Sequence, residues 1–216
     1  MARLKLAVMI SGRGSNLQAL IDACRDSTFP AEIVLVLSNE PDALGLERAK
    51  SARVPTRVVN HRYYPDRTGF EAALTGEIES SGANLVCLAG FMRLLGPGFV
   101  RRWRDRLINI HPSLLPAFKG LHTHERAIQT GARIAGCTVH FVREDMDQGP
   151  IIVQAAVPVH PDDDADSLAA RVLAQEHVVY PLAVRLIAEG LVRIKDERVT
   201  IADARTPSGA LVNPAP

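Results

Sequence analysis

Cysteine is scarce in this chain. Its 216 residues include three cysteines, Cys24, Cys87 and Cys137, which lie far apart. An odd number of separated cysteines excludes a disulfide framework, and no pair has the spacing of a zinc-binding knuckle. The cysteine pattern is therefore typical of a protein from a reducing compartment.

Long apolar runs and an excess of one charge are also lacking. The first apolar run, residues 6–10, ends at a glycine turn and is too short for the core of a signal peptide. No run approaches the ~18 residues needed to span a bilayer. The formal net charge is +1, so anionic ligands must be held by local groups. We therefore expect a cytoplasmic protein whose partners are neither a membrane nor a nucleic acid.

Apolar runs alternate with amphipathic segments in the first half of the chain. Alternation of strands and helices predicts crossover connections and a parallel sheet that is covered on both faces. The strands are predicted at residues 4–10, 33–37, 56–59, 83–89 and 107–110, and the helices from residue 17 and at 43–52 and 66–81.

The second half has a different pattern. Residues 134–142 and 150–157 are predicted strands that are joined by an acidic turn, which suits an antiparallel hairpin. A short helix at 123–130, a long helix at 166–189 and a terminal hairpin at 191–201 complete the chain. The predicted fold class is α/β: a doubly wound, mainly parallel Rossmann-like sheet with an antiparallel C-terminal extension.

A glycine-containing turn, residues 11–16 (SGRGSN), follows the first strand and opens the first helix. Glycines allow a tight turn, and a helix N-terminus favours an anion. The turn lacks the third glycine of the dinucleotide fingerprint and the lysine of a P-loop, so it favours a small phosphate. The alternative is a structural turn in which Ser15 caps the helix.

Asn109 and His111 alternate at the end of a predicted strand, so both side chains point to one side. Ligands bind at this edge of open α/β sheets, and an amide beside an imidazole suits stabilisation of an oxyanion. The alternative is a capping asparagine and a core histidine with satisfied hydrogen bonds.

Three further groups of polar residues are candidates. The acidic turn at residues 144–150 is either a solvated loop or the source of a carboxylate for His111. Gln175 and Glu176 fall on or beside the apolar stripe of the long helix, so they are either paired there or near the surface. His122 and His124 could join His111 in a zinc site, but no metal-binding spacing supports one and we expect no metal.

Residues 109–116 (NIHPSLLP) resemble the signature of the formyltetrahydrofolate-using formyltransferases. Residues 10–17, 88–93, 120–124 and 175–177 resemble the same family, in the same order and over nearly the whole chain. Among its members, the similarity is greatest to those that formylate glycinamide ribonucleotide. Several independent segments make this resemblance far more specific than one motif.

The resemblance implies a role for each matching residue. The family's catalytic trio corresponds to Asn109, His111 and Asp147. The nucleotide substrate and its phosphate would be bound by Gly14, Ser15, Asn16 and Glu176. The folate would contact Arg67, Met92, Arg93, Leu94, Leu95 and Asn109. The loop at 117–119 varies within the family and receives no role, and Leu173 stands where some relatives carry a polar residue.

The implied activity is formyl transfer from 10-formyltetrahydrofolate, a cosubstrate, to the amine of glycinamide ribonucleotide, without a metal. Its partners would be small molecules, and the chain would act as a monomer or homodimer. The implied organisation is one domain over residues 1–205, with a nucleotide-binding half at 1–110, a folate-binding and C-terminal half at 111–205, and a loosely ordered tail at 206–216.

Three rivals remain. A formyltetrahydrofolate deformylase would use water as the acceptor, but relatives of that type lack the intact glycine turn and the histidine-containing run at 121–124. A methionyl-tRNA formyltransferase would need a further RNA-binding domain and more positive charge. A non-catalytic nucleotide-binding module would keep the turn but would need neither Asn109, His111 nor Asp147.

Overall fold

A computed structural model of the chain describes residues 2–205 and 207–214. The strands are β1 (Leu4–Ile10), β2 (Ala31–Ser38), β3 (Thr56–Val58), β4 (Leu85–Leu88), β5 (Leu107–His111), β6 (Ile134–Phe141), β7 (Ile151–Pro158), β8 (Val192–Lys195) and β9 (Arg198–Ile201). The helices are α1 (Ser15–Arg25), α2 (Leu44–Ser51), α3 (Arg67–Ser80), α4 (Pro97–Arg102), α5 (Thr123–Gln129) and α6 (Ala165–Ala188).

The chain forms two compact units, and the first comprises Met1–Asn109 with Phe141–Glu144. Its strands pair in parallel in the order β3-β2-β1-β4-β5. Side chains alternate between the two faces of each strand, so each face needs its own helical cover. On one face, α3 and α4 supply that cover through a cluster of buried residues: Ala7, Met9, Leu35, Leu37, Phe70, Leu74, Phe99 and Val100.

The other face of the first unit is covered by α1 and α2. Ile10, whose side chain points away from that of Met9, lies against Gly45 of α2, and α2 contacts α1. Both faces of the parallel sheet are therefore covered by helices, which confirms the predicted doubly wound arrangement.

The second unit comprises Ile110–His140 and Asp145–Pro216. Strands β6 and β7 pair antiparallel, and so do β8 and β9. Helix α6 packs on β7, and α5 contacts α6. Gly136 of β6 lies so close to the backbone of β7 that an added Cβ would be 1.9 Å from the carbonyl oxygen of Ala155. The predicted antiparallel C-terminal extension is confirmed.

The predicted strands and helices are present, with boundaries that differ by a few residues, and one helix was missed. Helix α4 has six residues, begins with Pro97 after Gly96, and ends in two arginines. A segment this short gives no apolar periodicity, although proline at the first helical position is a known start signal.

Two further predictions concern the ends and surface of the chain. None of the described helices is long and apolar enough to cross a bilayer. The predicted tail at 206–216 is described over 207–214, where Asn213 donates hydrogen bonds to the carbonyls of Arg133 and Val159. Thr206, Ala215 and Pro216 lie outside the described residues. The domain division and the loose order of the tail stay predictions.

A buried ion pair connects the end of β7 to the start of α6. The carboxylate of Asp163, 3% exposed, accepts hydrogen bonds from both terminal nitrogens of Arg171 at 2.7 and 2.8 Å. It also accepts from the backbone N–H of His160 and the hydroxyl of Ser167, while Arg171 donates to the carbonyl of Pro158. The hydrogen bonds from Arg171 hold the pKa of the Asp163 carboxyl well below its usual range.

We expect Asp163→Asn to lower the free energy of unfolding by about 2 kcal/mol at pH 7, because Arg171, whose side chain is 26% exposed, loses its counter-ion and the hydrogen bonds to it. A carboxyl whose folded-state pKa is depressed contributes stability above its unfolded pKa and loses it as the pH falls. The difference from wild type should therefore shrink below about pH 4. Urea unfolding at several pH values measures this, with the exposed Asp162→Asn as the control; an equal loss in both variants would contradict it.

Candidate active site

The glycine turn lies at the carboxyl end of β1 in the first unit. Gly14 adopts a left-handed conformation (φ 68°) and is the N-cap residue of α1. The alternative in which Ser15 caps the helix is therefore wrong. Glycine has no side chain that could accept a capping hydrogen bond, so the N-cap residue of α1 makes none. Asn16, in the first turn, is buried.

The turn is held by close contact with α2. A Cβ on Gly14 would lie 2.6 Å from Cα of Gly45, and the backbone N–H of Gly45 donates to the carbonyl of Gly12 at 3.0 Å. Arg48 of α2 donates from Nε to the carbonyl of Arg13 at 2.9 Å. Two helices thus begin side by side, which requires glycine at both contact points.

Ser11 links the turn to two other loops of the first unit. Its hydroxyl donates to Oδ1 of Asn39 at 2.5 Å and accepts from the backbone N–H of Met92 at 2.7 Å. Its own N–H donates to the carbonyl of Gly90. The loops that follow β1, β2 and β4 are therefore connected through one serine.

The segment that the resemblance assigns to folate follows β4. Leu95 is buried and Phe91 is partly buried, and both pack against the core of the first unit. Between them, Met92 and Leu94 are 70% and 66% exposed, and Arg93 is exposed as well. Anchored ends with exposed apolar residues between them form a surface that suits a flat, partly apolar ligand.

Arg67, at the first position of α3, lies beside the end of this segment. Its Nε is 3.8 Å from Oε1 of Glu71, which accepts a 2.6 Å hydrogen bond from the backbone N–H of Gly96. The side chain of Arg67 is 56% exposed, so its charge is open to solvent. It is therefore a cation that an anionic ligand could reach.

Asn109 and His111 lie in β5, two residues apart, so strand alternation directs both side chains to one face. Asn109 lies within the strand, and the alternative in which it caps a helix is wrong. His111 is 6% exposed. Its Nε2 lies 3.1 Å from the carbonyl oxygen of Phe118, which can only accept, so Nε2 carries the proton.

Asp147 faces the other nitrogen of this imidazole. Oδ1 of Asp147 is 3.5 Å from Nδ1 of His111, and Oδ2 accepts a 2.7 Å hydrogen bond from the backbone N–H of Gly120. Its side chain is 12% exposed, whereas Glu144 pairs with Arg101 and is half exposed. The acidic turn is therefore solvated at Glu144 and supplies a nearly buried carboxylate to His111 at Asp147.

Side chains of β6 and β7 form hydrogen bonds with the backbone of the loop after His111. Thr138 donates to the carbonyl of Ser113 and accepts from the N–H of Leu115. Gln154 donates to the carbonyl of Leu115 and to the hydroxyl of Thr138. Ser113 also donates to the carbonyl of Ala117. The backbone groups at the start of this loop therefore have hydrogen-bond partners, although the loop is neither helix nor strand.

Glu176 lies in the middle of α6 and is 7% exposed. Helix α6 begins at Ala165, so the alternative of a late helix with Glu176 at its surface is wrong. Burial and, to a smaller extent, the negative charge of Glu176 raise the pKa of the Cys137 thiol in β6 to about 12. A carboxylate that is buried in this way accepts hydrogen bonds in folded proteins.

The remaining histidines were considered as metal ligands. Burial lowers the pKa of His124, the Glu125 carboxylate opposes this, and the nearby His111 lowers it further. His124 is therefore neutral at pH 7 and lies near His111. His122 is exposed and pairs with Glu125. Over residues 2–205 and 207–214, no group of three or more His, Cys, Asp or Glu could hold a metal ion.

Several groups that shape the site were missed in the sequence. The carbonyl of Phe118 and the N–H of Gly120 are backbone atoms, and a residue type gives no signal for them. Ser11 belongs to the glycine turn, but its bonds to Asn39 and Met92 span residues far apart in sequence. The roles that the resemblance assigns to the site residues stay predictions.

A sequence profile described as "Formyl transferase" matches residues 4–184. The chain belongs to the formyl transferase family. This formyl transferase is 41% identical over 209 residues to the phosphoribosylglycinamide formyltransferase of Haemophilus influenzae, a match that covers 97% of this chain and 99% of that protein. It superimposes on the crystal structure of glycinamide ribonucleotide transformylase 1 from Symbiobacterium toebii with a TM-score of 0.91 and 48% identity, over 93% of this chain and 95% of that one. The predicted resemblance and fold class are confirmed.

Two other relatives match either over only part of their own length or at lower sequence identity. The formyl transferase is 51% identical over 197 residues to the trifunctional purine biosynthetic protein adenosine-3 of Drosophila melanogaster, and covers 15% of that protein's length. It is 32% identical to a formyltetrahydrofolate deformylase from Pseudomonas putida, with a TM-score of 0.83 over 92% of this chain and 70% of that one. The deformylase is thus the more distant of these relatives.

We expect Gly14→Ala to lower the free energy of unfolding of this formyl transferase by about 2 kcal/mol. Alanine is disfavoured at positive φ, and its Cβ would force α1 and α2 apart. Gly12→Ala is the matched control, since an added Cβ there meets nothing within 4 Å. Urea unfolding of both variants measures the difference, and equal stabilities would show that the contact between the two helices is easily relaxed.

Proposed function

We propose that this formyl transferase transfers the formyl group of 10-formyltetrahydrofolate to the amine of glycinamide ribonucleotide, giving formylglycinamide ribonucleotide and tetrahydrofolate in purine biosynthesis. One observation carries the proposal: in a chain of this family, the nearly buried His111 pairs with Asp147. His111 lies in β5, two residues after Asn109. The bacterial relatives that match over almost their full length bear the name of this activity.

The chemistry of the three side chains suits acyl transfer to an amine. As the amine attacks, negative charge develops on the formyl oxygen. Asn109 donates a hydrogen bond to that oxygen, and a donor of this kind typically lowers the barrier by about 3–4 kcal/mol. His111 would share its Nε2–H between the Phe118 carbonyl and that oxygen, or give up this proton to the reaction, which adds ~10²–10⁴-fold. Asp147 orients the imidazole and pairs with its cationic form. The reaction needs neither a metal nor a covalent bond to the enzyme.

The nucleotide substrate would be bound by groups that suit its two ends. The backbone at Gly14, Ser15 and Asn16 offers N–H groups at the start of α1 to the phosphate. The buried carboxylate of Glu176 accepts hydrogen bonds from the same substrate. Leu173 cannot donate, so no polar help is expected from the preceding turn of α6.

The folate would lie against the segment after β4. Met92, Leu94 and Leu95 offer apolar surface, Arg93 adds a charge, and Arg67 would pair with the carboxylates at the far end of the molecule. When bound, the folate supplies the formyl group, while the residues of this chain bind it and place that group near Asn109.

We also propose that the protein acts in the cytoplasm on small molecules, as a monomer or homodimer. The scarce, separated cysteines and the net charge of +1 support this proposal. The main alternative activity is deformylation, in which water replaces the amine; the existence of a deformylase relative at 32% identity makes it worth testing.

The first experiment follows the release of folate product spectroscopically, with and without glycinamide ribonucleotide. We expect product only when the nucleotide is present. His111→Ala should lower kcat by ~10²–10⁴-fold, because the reaction loses its proton donor. Calorimetry should show that this variant still binds the nucleotide.

The other outcomes have definite meanings. Equal product without the nucleotide would mean that water is the acceptor and that the protein is a deformylase. Nucleotide binding without turnover in wild type would identify a binding module. Full activity of His111→Ala would remove the imidazole from the mechanism.

We expect Arg67→Ala to raise KM for 10-formyltetrahydrofolate about five-fold while kcat stays constant, since an exposed cation paired with a carboxylate contributes ~1 kcal/mol. The matched control is Arg57→Ala, because Arg57 is similarly exposed and also pairs with a glutamate of α3, Glu77 at 3.4 Å. Steady-state kinetics over a range of folate concentrations measure both; an equal rise in KM in the two variants would contradict the assignment.

A further inference from the structure

The loop between β5 and α5 contacts both ionisable side chains of the candidate active site. The carbonyl of Phe118 accepts a hydrogen bond from His111 at 3.1 Å, and the N–H of Gly120 donates one to Asp147 at 2.7 Å. These two backbone groups are separated by a single residue, Lys119. A shift of this short stretch would therefore turn the imidazole and the carboxylate together.

The loop does not adopt this shape without cost. Phe118 and His122 have left-handed backbone conformations, with φ of 51° and 57°, and Gly120 has φ of 80°. For residues other than glycine such a conformation costs roughly 1–2 kcal/mol each. Strained backbone persists where surrounding interactions fix it. The loop therefore needs a fixed point outside itself.

Arg126 of α5 is one such fixed point. One terminal nitrogen donates to the carbonyl of Lys119 at 2.6 Å and to the carbonyl of Leu121 at 3.3 Å. The guanidinium carbon lies 5.7 Å from the centre of the Phe118 ring. Arg126 thus contacts Phe118, Lys119 and Leu121, and a planar cation with several donors can make all three contacts at once.

We propose that Arg126 is a positioning residue for the formyl transfer described above, on which this inference rests. It holds the loop at 118–121 so that the Phe118 carbonyl and the Gly120 N–H keep His111 and Asp147 in their mutual orientation. Arg126 acts on the imidazole and the carboxylate through the backbone between them.

Because Arg126 is exposed, its effect on catalysis can be distinguished from an effect on protein stability. Its side chain is exposed, and exposed charged contacts contribute little to the free energy of unfolding. A catalytic group, in contrast, is sensitive to placement, and a displacement of ~1 Å can lower the rate about 10²-fold. The loss of Arg126 should therefore act on kcat far more than on folding.

The test compares Arg126→Ala, Arg126→Lys and a control, Arg193→Ala, which removes an exposed arginine from β8. We expect Arg126→Ala to lower kcat by ~10–100-fold and to change KM for either substrate by less than about three-fold. Arg126→Lys should recover part of the rate, since lysine keeps the charge and donors but not the planar face. Arg193→Ala should behave as wild type, and all rates are taken per folded molecule.

A second measurement needs no turnover. Nitrogen NMR of the His111 ring, without substrates, reports the hydrogen bond from Nε2 to the Phe118 carbonyl. We expect the Nε2 signal to move in Arg126→Ala and to stay in Arg193→Ala. If wild type transferred no formyl group, the proposed function would fail while this signal still tested the role of Arg126. An unchanged kcat, or an unchanged Nε2 signal, in Arg126→Ala would overturn the inference.

Discussion

The candidate active site depends on two hydrogen bonds between the loop after β5 and the ionisable side chains of His111 and Asp147. The carbonyl of Phe118 accepts a hydrogen bond from His111, and the N–H of Gly120 donates one to Asp147. Both side chains are nearly buried, where a polar group without a partner is costly. Thr138 of β6 and Gln154 of β7 hold the start of the loop at Ser113 and Leu115, and the guanidinium of Arg126 holds its end at Lys119.

In the first unit, the loops after β1, β2 and β4 are also held in place by backbone contacts and hydrogen bonds. Its ligand-facing loops follow the carboxyl ends of parallel strands, as in other open α/β sheets. Gly14 and Gly45 permit two helices to start in contact, and Ser11 connects the loops after β1, β2 and β4 through three hydrogen bonds. An anion-binding turn and an exposed apolar segment are therefore parts of one bonded framework.

The chemistry that follows from these parts is electrostatic. A chain with a net charge of +1 has a weak overall field, so under the proposed function an anionic substrate would be attracted by helix N–H groups and single cations such as Arg67. Rate acceleration then depends on donors placed where negative charge develops.

The sequence by itself determined the fold class, because apolar periodicity and glycine turns are local properties that each segment displays. It also determined the family, since the residues at 109–116 and the other matching segments are chemical groups that any fold of this family must contain. It missed helix α4, whose six residues have too few turns to show a period. The resemblance named Asp147 and Glu176, but only the tertiary structure shows Asp147 at 3.5 Å from His111 and Glu176 buried between half-buried neighbours. The tertiary structure also decided the roles of the Phe118 carbonyl, the Gly120 N–H and Arg126, because backbone groups look alike in every residue and their partners are distant in the chain.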